Sequence, residues 1–553
     1  MKSMNTKVRA FVAGAVGMIV AFGIVELVHG IYDTVPSVLV AVAQRVIEFT
    51  PGGFATTAIE VLGGADIPVL ITMTIILTLA LAGLLAYLSL RSRIGGLIGL
   101  AVLAAIALAA SFSEPLFAPV PTVLTVVVAL YAGSSVARFL LSSSGLRTGE
   151  PGEEPATKPA SPPASDGGPR LAGVRSKEAH STGGIAVGRR NFLLLSGGAA
   201  VAGLAATGAG RWLGSEGAGE ISSAAPLPVG SQVGSTASIT ETLPPPLPEA
   251  SLDVPGMPPL ITPADDFYLI DTALSSPRIN VDNWTLKVMG EVENPIELSY
   301  SDLISLPTRE ADVTLSCISN EVGGGLVSNG RWTGVLLSDV LKEAGVSPDK
   351  ISRASEQLVG RSADGWTAGF PTETALDGRE ALVAFGLNGS ELPLKHGYPV
   401  RLVVPGLYGY VSATKWLTEL ELTNWDFDAY WIQRTWAKEG PIMTQSRIDT
   451  IAEGDSLTAG TVQIGGVAWA PHRGIDRVEV STDDGETWTD AQLAAQLALD
   501  TWRQYVYDWE AQPGEHTIKV RATDGDGETQ TESEAAPHPT GATGYHTIKA
   551  TVA

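Results

Sequence analysis

At 553 residues the chain has room for two or three domains beyond any membrane segments. Its net charge is -23, unevenly spread: residues 1–213 carry an excess of four positive charges, residues 214–553 an excess of 27 negative ones. That acidic half excludes nucleic-acid binding, which needs a basic footprint, and predicts an acidic, soluble surface.

Four apolar stretches open the chain, at Phe11–Val28, Ile67–Leu90, Ile94–Phe112 and Val120–Leu141. Each is near the roughly 20 residues that span a bilayer, and together they predict a transmembrane region over 1–141. Between the first two, Ile31 to Thr50 reads as an amphipathic or loop segment bearing Arg45 and Glu48. Lys2, Lys7 and Arg9 precede the first span, Arg91 and Arg93 separate the second from the third, and many basic residues follow the fourth. The turn between the third and fourth holds Glu114 and no Lys or Arg. By the positive-inside rule the N-terminus and the exit of the fourth span lie inside.

Residues 142–188 are rich in Pro, Gly, Ser and charge and read as a disordered linker. A fifth hydrophobic segment over 189–213 opens on Arg189-Arg190. It resembles a twin-arginine signal, although it lies in mid-chain without the usual Ser/Thr before and Lys after. An ordinary fifth span is the other reading, and both put the downstream residues on the extracytoplasmic side. Residues 214–258 form a second linker, stiffened by Pro244-Pro245-Pro246.

A mixed α+β domain is expected over 259–438, with strands at Asn283–Val292 and Val313–Cys317 and short helices or turns at Thr333–Ala344 and Thr372–Leu376. Short β-rich runs then continue the chain over 439–553, at Ala459–Ala468, Asp476–Val480, Thr501–Trp509 and His516–Ala522, as in an immunoglobulin-like β-sandwich. Asp524-Gly525-Asp526-Gly527 reads as a hairpin turn, since no Glu follows at the spacing of a calcium loop.

Cys317 is the sole cysteine, so no disulfide can form within the chain. By position it reads either as a small core residue or as a ligand or nucleophile at the end of a strand, before Gly323-Gly324-Gly325. A second stretch, Asn388-Gly389 through Leu392-Pro393 and His396-Gly397-Tyr398-Pro399-Val400-Arg401 to Lys415-Trp416, sets His, Arg and Lys around an apolar strand.

Together, Thr314-Leu315-Ser316-Cys317-Ile318-Ser319-Asn320, the Asn388 to Arg401 block and Lys415-Trp416 resemble the sulfite oxidase family of molybdopterin-dependent oxidoreductases. The resemblance covers roughly Pro259 to Ala553. It implies a molybdopterin-binding domain of sulfite oxidase type and a C-terminal module that often forms the dimer contact. It implies a molybdenum–molybdopterin (Mo-pyranopterin) cofactor with Cys317 as the thiolate ligand, a soft donor suited to a redox-active metal. Arg401 and Lys415 match phosphate- and pterin-contacting positions and His396 a pterin contact. Ser412 and Thr414 offer backbone donors nearby, and Tyr268 in Asp266-Phe267-Tyr268 lines the cofactor. At the substrate, Arg331 fits one family arginine, whereas the usual tyrosine falls on Trp436. The early substrate-loop arginine is replaced by Ile270-Asp271-Thr272.

The expected activity is oxygen-atom transfer with a small anion or a sulfoxide. A sulfoxide reductase of the same family is the enzymatic alternative. A cofactor-free surface-binding protein with an immunoglobulin-like module is the alternative of another class. No haem is expected, because only His29 lies among the spans and a haem held there wants paired histidines. Electrons must then pass to a separate electron-transfer protein.

Overall fold

The computed structural model describes residues 6–32, 34–50, 66–114, 117–143, 189–222 and 240–553. Residues 144–188 of the first expected linker and 223–239 of the second lie outside them. The chain forms two compact units, Met1–Phe49 with Leu62–Glu216, and Thr50–Val61 with Gly217–Ala553.

The first unit is helical: α1 Thr6–Ile31, α2 Val38–Phe49, α3 Asp66–Ser89, α4 Arg93–Phe112, α5 Pro119–Ser143 and α6 Arg189–Ser222. Local chemistry explains several starts. Pro119 opens α5, where its missing N–H is no loss, and the Ser92 hydroxyl caps α4 by accepting from Gly95 N at 3.0 Å. All but α2 are long and apolar enough to cross a membrane. The short α2 carries an Arg45–Glu48 ion pair within the stretch expected to be amphipathic. Half of the apolar part of α1 is buried, and glycine makes that possible. A Cβ on Gly17 would stand 2.5 Å from the Gly133 carbonyl of α5, and one on Gly23 would stand 2.4 Å from the Gly203 carbonyl of α6.

The second unit holds two β-rich regions. In the first, one sheet runs β2-β1-β10-β5-β6, built from β1 Thr285–Gly290, β2 Ile296–Ser299, β5 Gln357–Ser362, β6 Thr367–Pro371 and β10 Leu417–Thr423. The other runs β3-β4-β7-β8 with β9 on β7, from β3 Thr308–Ser316, β4 Val327–Leu336, β7 Leu382–Leu387, β8 Ser390–Glu391 and β9 Arg401–Val403. Leu286, Val288, Leu358, Val383, Phe385 and Leu420 help to form a core contributed by both sheets. Thr333 to Leu336, expected in a helix or turn, instead continues β4. Val335 pairs with Thr308 and Gly334 with Ala384, so the sheet claims these residues and the helix is confined to Leu337–Glu343. Thr372–Ala375 is a short 3-10 turn, as expected.

In the C-terminal region one sheet runs β11-β13-β17-β16, from β11 Gln445–Ile448, β13 Gly460–Trp469, β16 Gln492–Leu493 and β17 Arg503–Ala511. Its companion runs β12-β19-β18-β14-β15, from β12 Asp455–Leu457, β14 Ile475–Ser481, β15 Thr489–Asp490, β18 Gly514–Asp524 and β19 His546–Val552. Ile464, Tyr505, Val480, Ile518 and Ile548 pack together from the two sheets. At the expected turn, Gly527 N donates to Asp524 O at 3.0 Å. Residues 240–258, the described end of the second expected linker, lie along the fold: Thr240 N donates to Thr308 O at 2.9 Å and Leu252 N to Gln504 Oε1 at 2.6 Å.

Candidate active site

Strand parity aims Cys317. Along β3, Ala311, Val313 and Leu315 face one cluster with Phe267 and Trp332, and Cys317 is the next residue of that parity. Its N–H extends the ladder to Leu326 O at 2.9 Å. The chain then turns back through a loop closed by Asn320, whose Oδ1 accepts from Leu326 N at 2.7 Å. The C-terminal region holds that loop. Arg447 Nη1 donates to Gly324 O at 2.8 Å, and a Cβ on Gly323, at φ +76°, would stand 2.2 Å from the His546 ring. Burial pushes the Cys317 thiol up, while the Ser319 N–H and hydroxyl and the Lys415 charge favour the thiolate.

Four other expected residues converge here. Tyr268 stacks on Phe267 at 5.7 Å, and its N–H donates to Ser328 Oγ at 3.0 Å. Burial, then the neighbouring Cys317, pushes its phenol up. His396 ends the turn Leu394–His396, and its Nε2 lies 3.1 Å from Ala264 O. Burial and the nearby Arg401 and Lys415 hold it down to about 3, so it is neutral. Arg401 begins β9 and is 4% exposed. Its Nη1 donates to His396 O at 3.1 Å, and its guanidinium lies over Trp332 at 5.0 Å. No carboxylate lies within ion-pair distance of it among the described residues, and burial lowers it to about 10. Lys415 Nζ donates to Lys395 O at 3.0 Å and to Asp271 Oδ1 at 2.6 Å; burial lowers the amine to about 8. Gly397, at φ +107°, lets the two cations flank it: an added Cβ would stand 3.0 Å from Lys415 Cβ and 3.2 Å from Arg401 Cβ.

Ser412 and Thr414 are fully buried, and their hydroxyls face carbonyls of the fold, Tyr408 O at 3.0 Å and Gly360 O at 3.5 Å. The Thr414 carbonyl accepts from Leu402 N at 2.8 Å, and the intervening Ala413 N–H donates to Gly409 O at 2.9 Å. Arg331 does not join the group. Its Nε and Nη2 grip Asp312 at 2.8 Å each, and Nη1 reaches Pro244 O at 3.0 Å. Asp312 precedes Cys317 by five residues of strand, roughly 16 Å at ~3.3 Å per residue. Cross-strand pairing gives the Arg331 charge, expected at the substrate, to Asp312. Trp436 lies in another cluster, with Ile318, Tyr408 and Tyr410.

Sequence reasoning missed two groups. Asp271, noted only as standing where an arginine was expected, is the partner of Lys415, and burial raises its pKa. Tyr408 lies near enough for the Cys317 charge to raise its phenol; burial is the larger cause, and together they bring it to about 12. Neither carries a local signal, since each partner is remote in sequence.

Buried Arg401 and Lys415 beside an aimed thiol suit a ligand that offers an anionic group and a metal. Residues 273–431 match the family of the oxidoreductase molybdopterin binding domain, and residues 440–537 the Mo-co oxidoreductase dimerisation domain. The mitochondrial sulfite oxidase of Rattus norvegicus is 32% identical over 271 residues, covering 42% of this chain and 49% of that protein. Nitrate reductase [NADH] 1 of Arabidopsis thaliana is 27% identical over 284 residues, covering 42% and 31%. The solved sulfane dehydrogenase SoxCD of Paracoccus pantotrophus is 25% identical at a TM-score of 0.45, covering 55% of this chain and 82% of that one. The chain spans about half the length of the mitochondrial sulfite oxidase it matches. Over residues 273–431 and 440–537 the chain is thus similar to the sulfite oxidase family of molybdopterin-dependent oxidoreductases.

Proposed function

We propose that this chain is a membrane-anchored oxidoreductase that transfers an oxygen atom at a molybdenum held by the Cys317 thiolate. The observation that carries the reading is Arg401, buried near Lys415 with no carboxylate within ion-pair distance among the described residues, Asp271 being paired with Lys415. A buried guanidinium is costly unless an anion completes it, and the phosphate of a pyranopterin is such an anion.

Arg401 and Lys415 would hold that phosphate, Tyr268 and His396 would contact the pterin, and the Ser412 to Thr414 backbone would border it. Bound there, the cofactor supplies two-electron oxygen-atom chemistry. The chain's own residues orient and shield it. Neutral His396 presents one ring nitrogen as donor and the other as acceptor. Asp271 keeps the Lys415 amine protonated at neutral pH. Phe267 and Trp332 close the apolar side.

The site lies within 259–438. Residues 439–553 read as an immunoglobulin-like sandwich that pairs two copies of the chain, in keeping with the dimerisation-domain match. The apolar helices within 1–213 serve as a transmembrane anchor, and their basic flanks put the site on the extracytoplasmic side. With no haem expected in the chain, a separate electron-transfer protein exchanges electrons with the site.

Purified protein should carry about one molybdenum and one pterin per chain by metal analysis and by fluorescence after oxidative denaturation. Cys317→Ala should lose the molybdenum. Full retention in that variant would refute the ligand assignment.

A further inference from the structure

The helical unit is charged differently at its two ends. At one end the arginines have carboxylates: Arg45 pairs with Glu48 and lies 3.9 Å from Glu114, and Arg211 lies 3.9 Å from the buried Glu26. The described acidic residues of 6–143, which are Glu26, Glu48, Asp66 and Glu114, all lie toward that end. At the other end stand Arg93, which opens α4, and Arg138, in the last turns of α5. Arg138 Nη2 donates to Ser135 Oγ at 3.3 Å, and no carboxylate lies within ion-pair distance of Arg138 among the described residues.

Arg93 and Arg138 line one cavity of about 260 Å³, enclosed by α1, α3, α4 and α5. Its walls are small and apolar, with Gly17, Ala86, Leu100 and Leu130 among them. Ser89 and Ser134 also line it, but their hydroxyls donate to Ala86 O at 2.8 Å and Tyr131 O at 2.9 Å within their own helices. Recognition of a polar group there falls to charge. Along α5 the lining runs from Leu130 to Leu141, about 16 Å at 1.5 Å per residue. That is close to half of the roughly 30 Å hydrocarbon core, the depth of one leaflet. A neighbouring cavity of about 210 Å³ has no charged residue in its lining and offers nothing to an anion. An apolar slot one leaflet deep, with guanidinium groups at its polar end, is complementary to an acyl chain that carries a phosphate.

We propose that the helical unit binds one anionic glycerophospholipid, with its phosphate on Arg93 and Arg138 and one acyl chain in the cavity. The inference goes beyond the oxidoreductase reading and rests on the transmembrane reading of these helices. Their basic flanks put the site in the cytoplasmic leaflet.

The test uses the full chain purified in a mild detergent. It is titrated with phosphatidylglycerol or with phosphatidylcholine of the same acyl chains, and bound lipid is counted by native mass spectrometry. The wild type should hold one phosphatidylglycerol about tenfold more tightly than phosphatidylcholine. In R93Q/R138Q that preference should disappear. S134L narrows the cavity and keeps both arginines, so both lipids should bind several-fold more weakly. Far-ultraviolet circular dichroism checks that each variant keeps its helices. Equal affinity for the two lipids in the wild type would overturn the anionic ligand without any variant. A preference unchanged in folded R93Q/R138Q would overturn the assigned arginines, and displacement of the lipid by inorganic phosphate would overturn the acyl-chain subsite. A chain that stays in solution without detergent would instead bring down the transmembrane reading, and this proposal with it.

Discussion

Arg331 and Arg401 leave the same sheet and have opposite surroundings. Arg331, 16% exposed on β4, closes a two-pronged pair with Asp312 and holds the Pro244 carbonyl. Arg401, on β9, has carbonyls, a Trp ring and burial, but no carboxylate. The side chain of Asp312 is 3% exposed, so the first arginine neutralises a buried charge that belongs to the fold. The second feels the Asp271 carboxylate only at a distance, that group being paired with Lys415. An arginine's meaning thus depends on whether its counter-ion is in the chain or must arrive from outside.

Variants can break or sharpen that contrast. The largest effect is expected on cofactor content. Arg401→Ala should cut molybdenum per chain about tenfold or more, while Arg331→Ala should leave it near the wild-type level; metal analysis of both checks this. Equal losses would erase the distinction. Next comes stability. Arg331→Ala strands the Asp312 carboxylate and should cost roughly 3 kcal/mol, read as a fall of several degrees in the Tm of the β-rich unit.

The smallest effect concerns His396, which lends its carbonyl to Arg401. Its folded pKa is about 3, against an ordinary value near 6.5. The unfolded chain takes up its proton first, so stability from this group is complete above about 6.5 and is lost as pH falls toward about 3. Between pH 7 and pH 5 the Tm of the wild type should therefore drop further than that of His396→Gln. Parallel profiles would show that the imidazole is not held neutral.

Much of the site was legible in the sequence. The motifs that resemble the sulfite oxidase family pointed to Cys317, His396, Arg401, Lys415 and Tyr268, and these side chains lie close enough to shift one another's ionisation. The Arg331 ion pair was not legible because its partner Asp312 lies across the β3–β4 register, which no local pattern displays. Asp271 escaped because its ion pair with Lys415 spans 144 residues. Thr333 to Leu336 has the local look of a helix start, yet both edges of β4 are already paired there.

What the sequence determines by itself is whatever depends on near neighbours. Uncharged apolar runs become long helices, alternation becomes strands, and a lone thiol at the end of a strand is aimed by parity. Only the tertiary structure decides which charges cancel inside the chain and which are left facing the site, because Coulomb partners are matched by distance in space. Arg331 with Asp312 and Lys415 with Asp271 are decisions of that second kind.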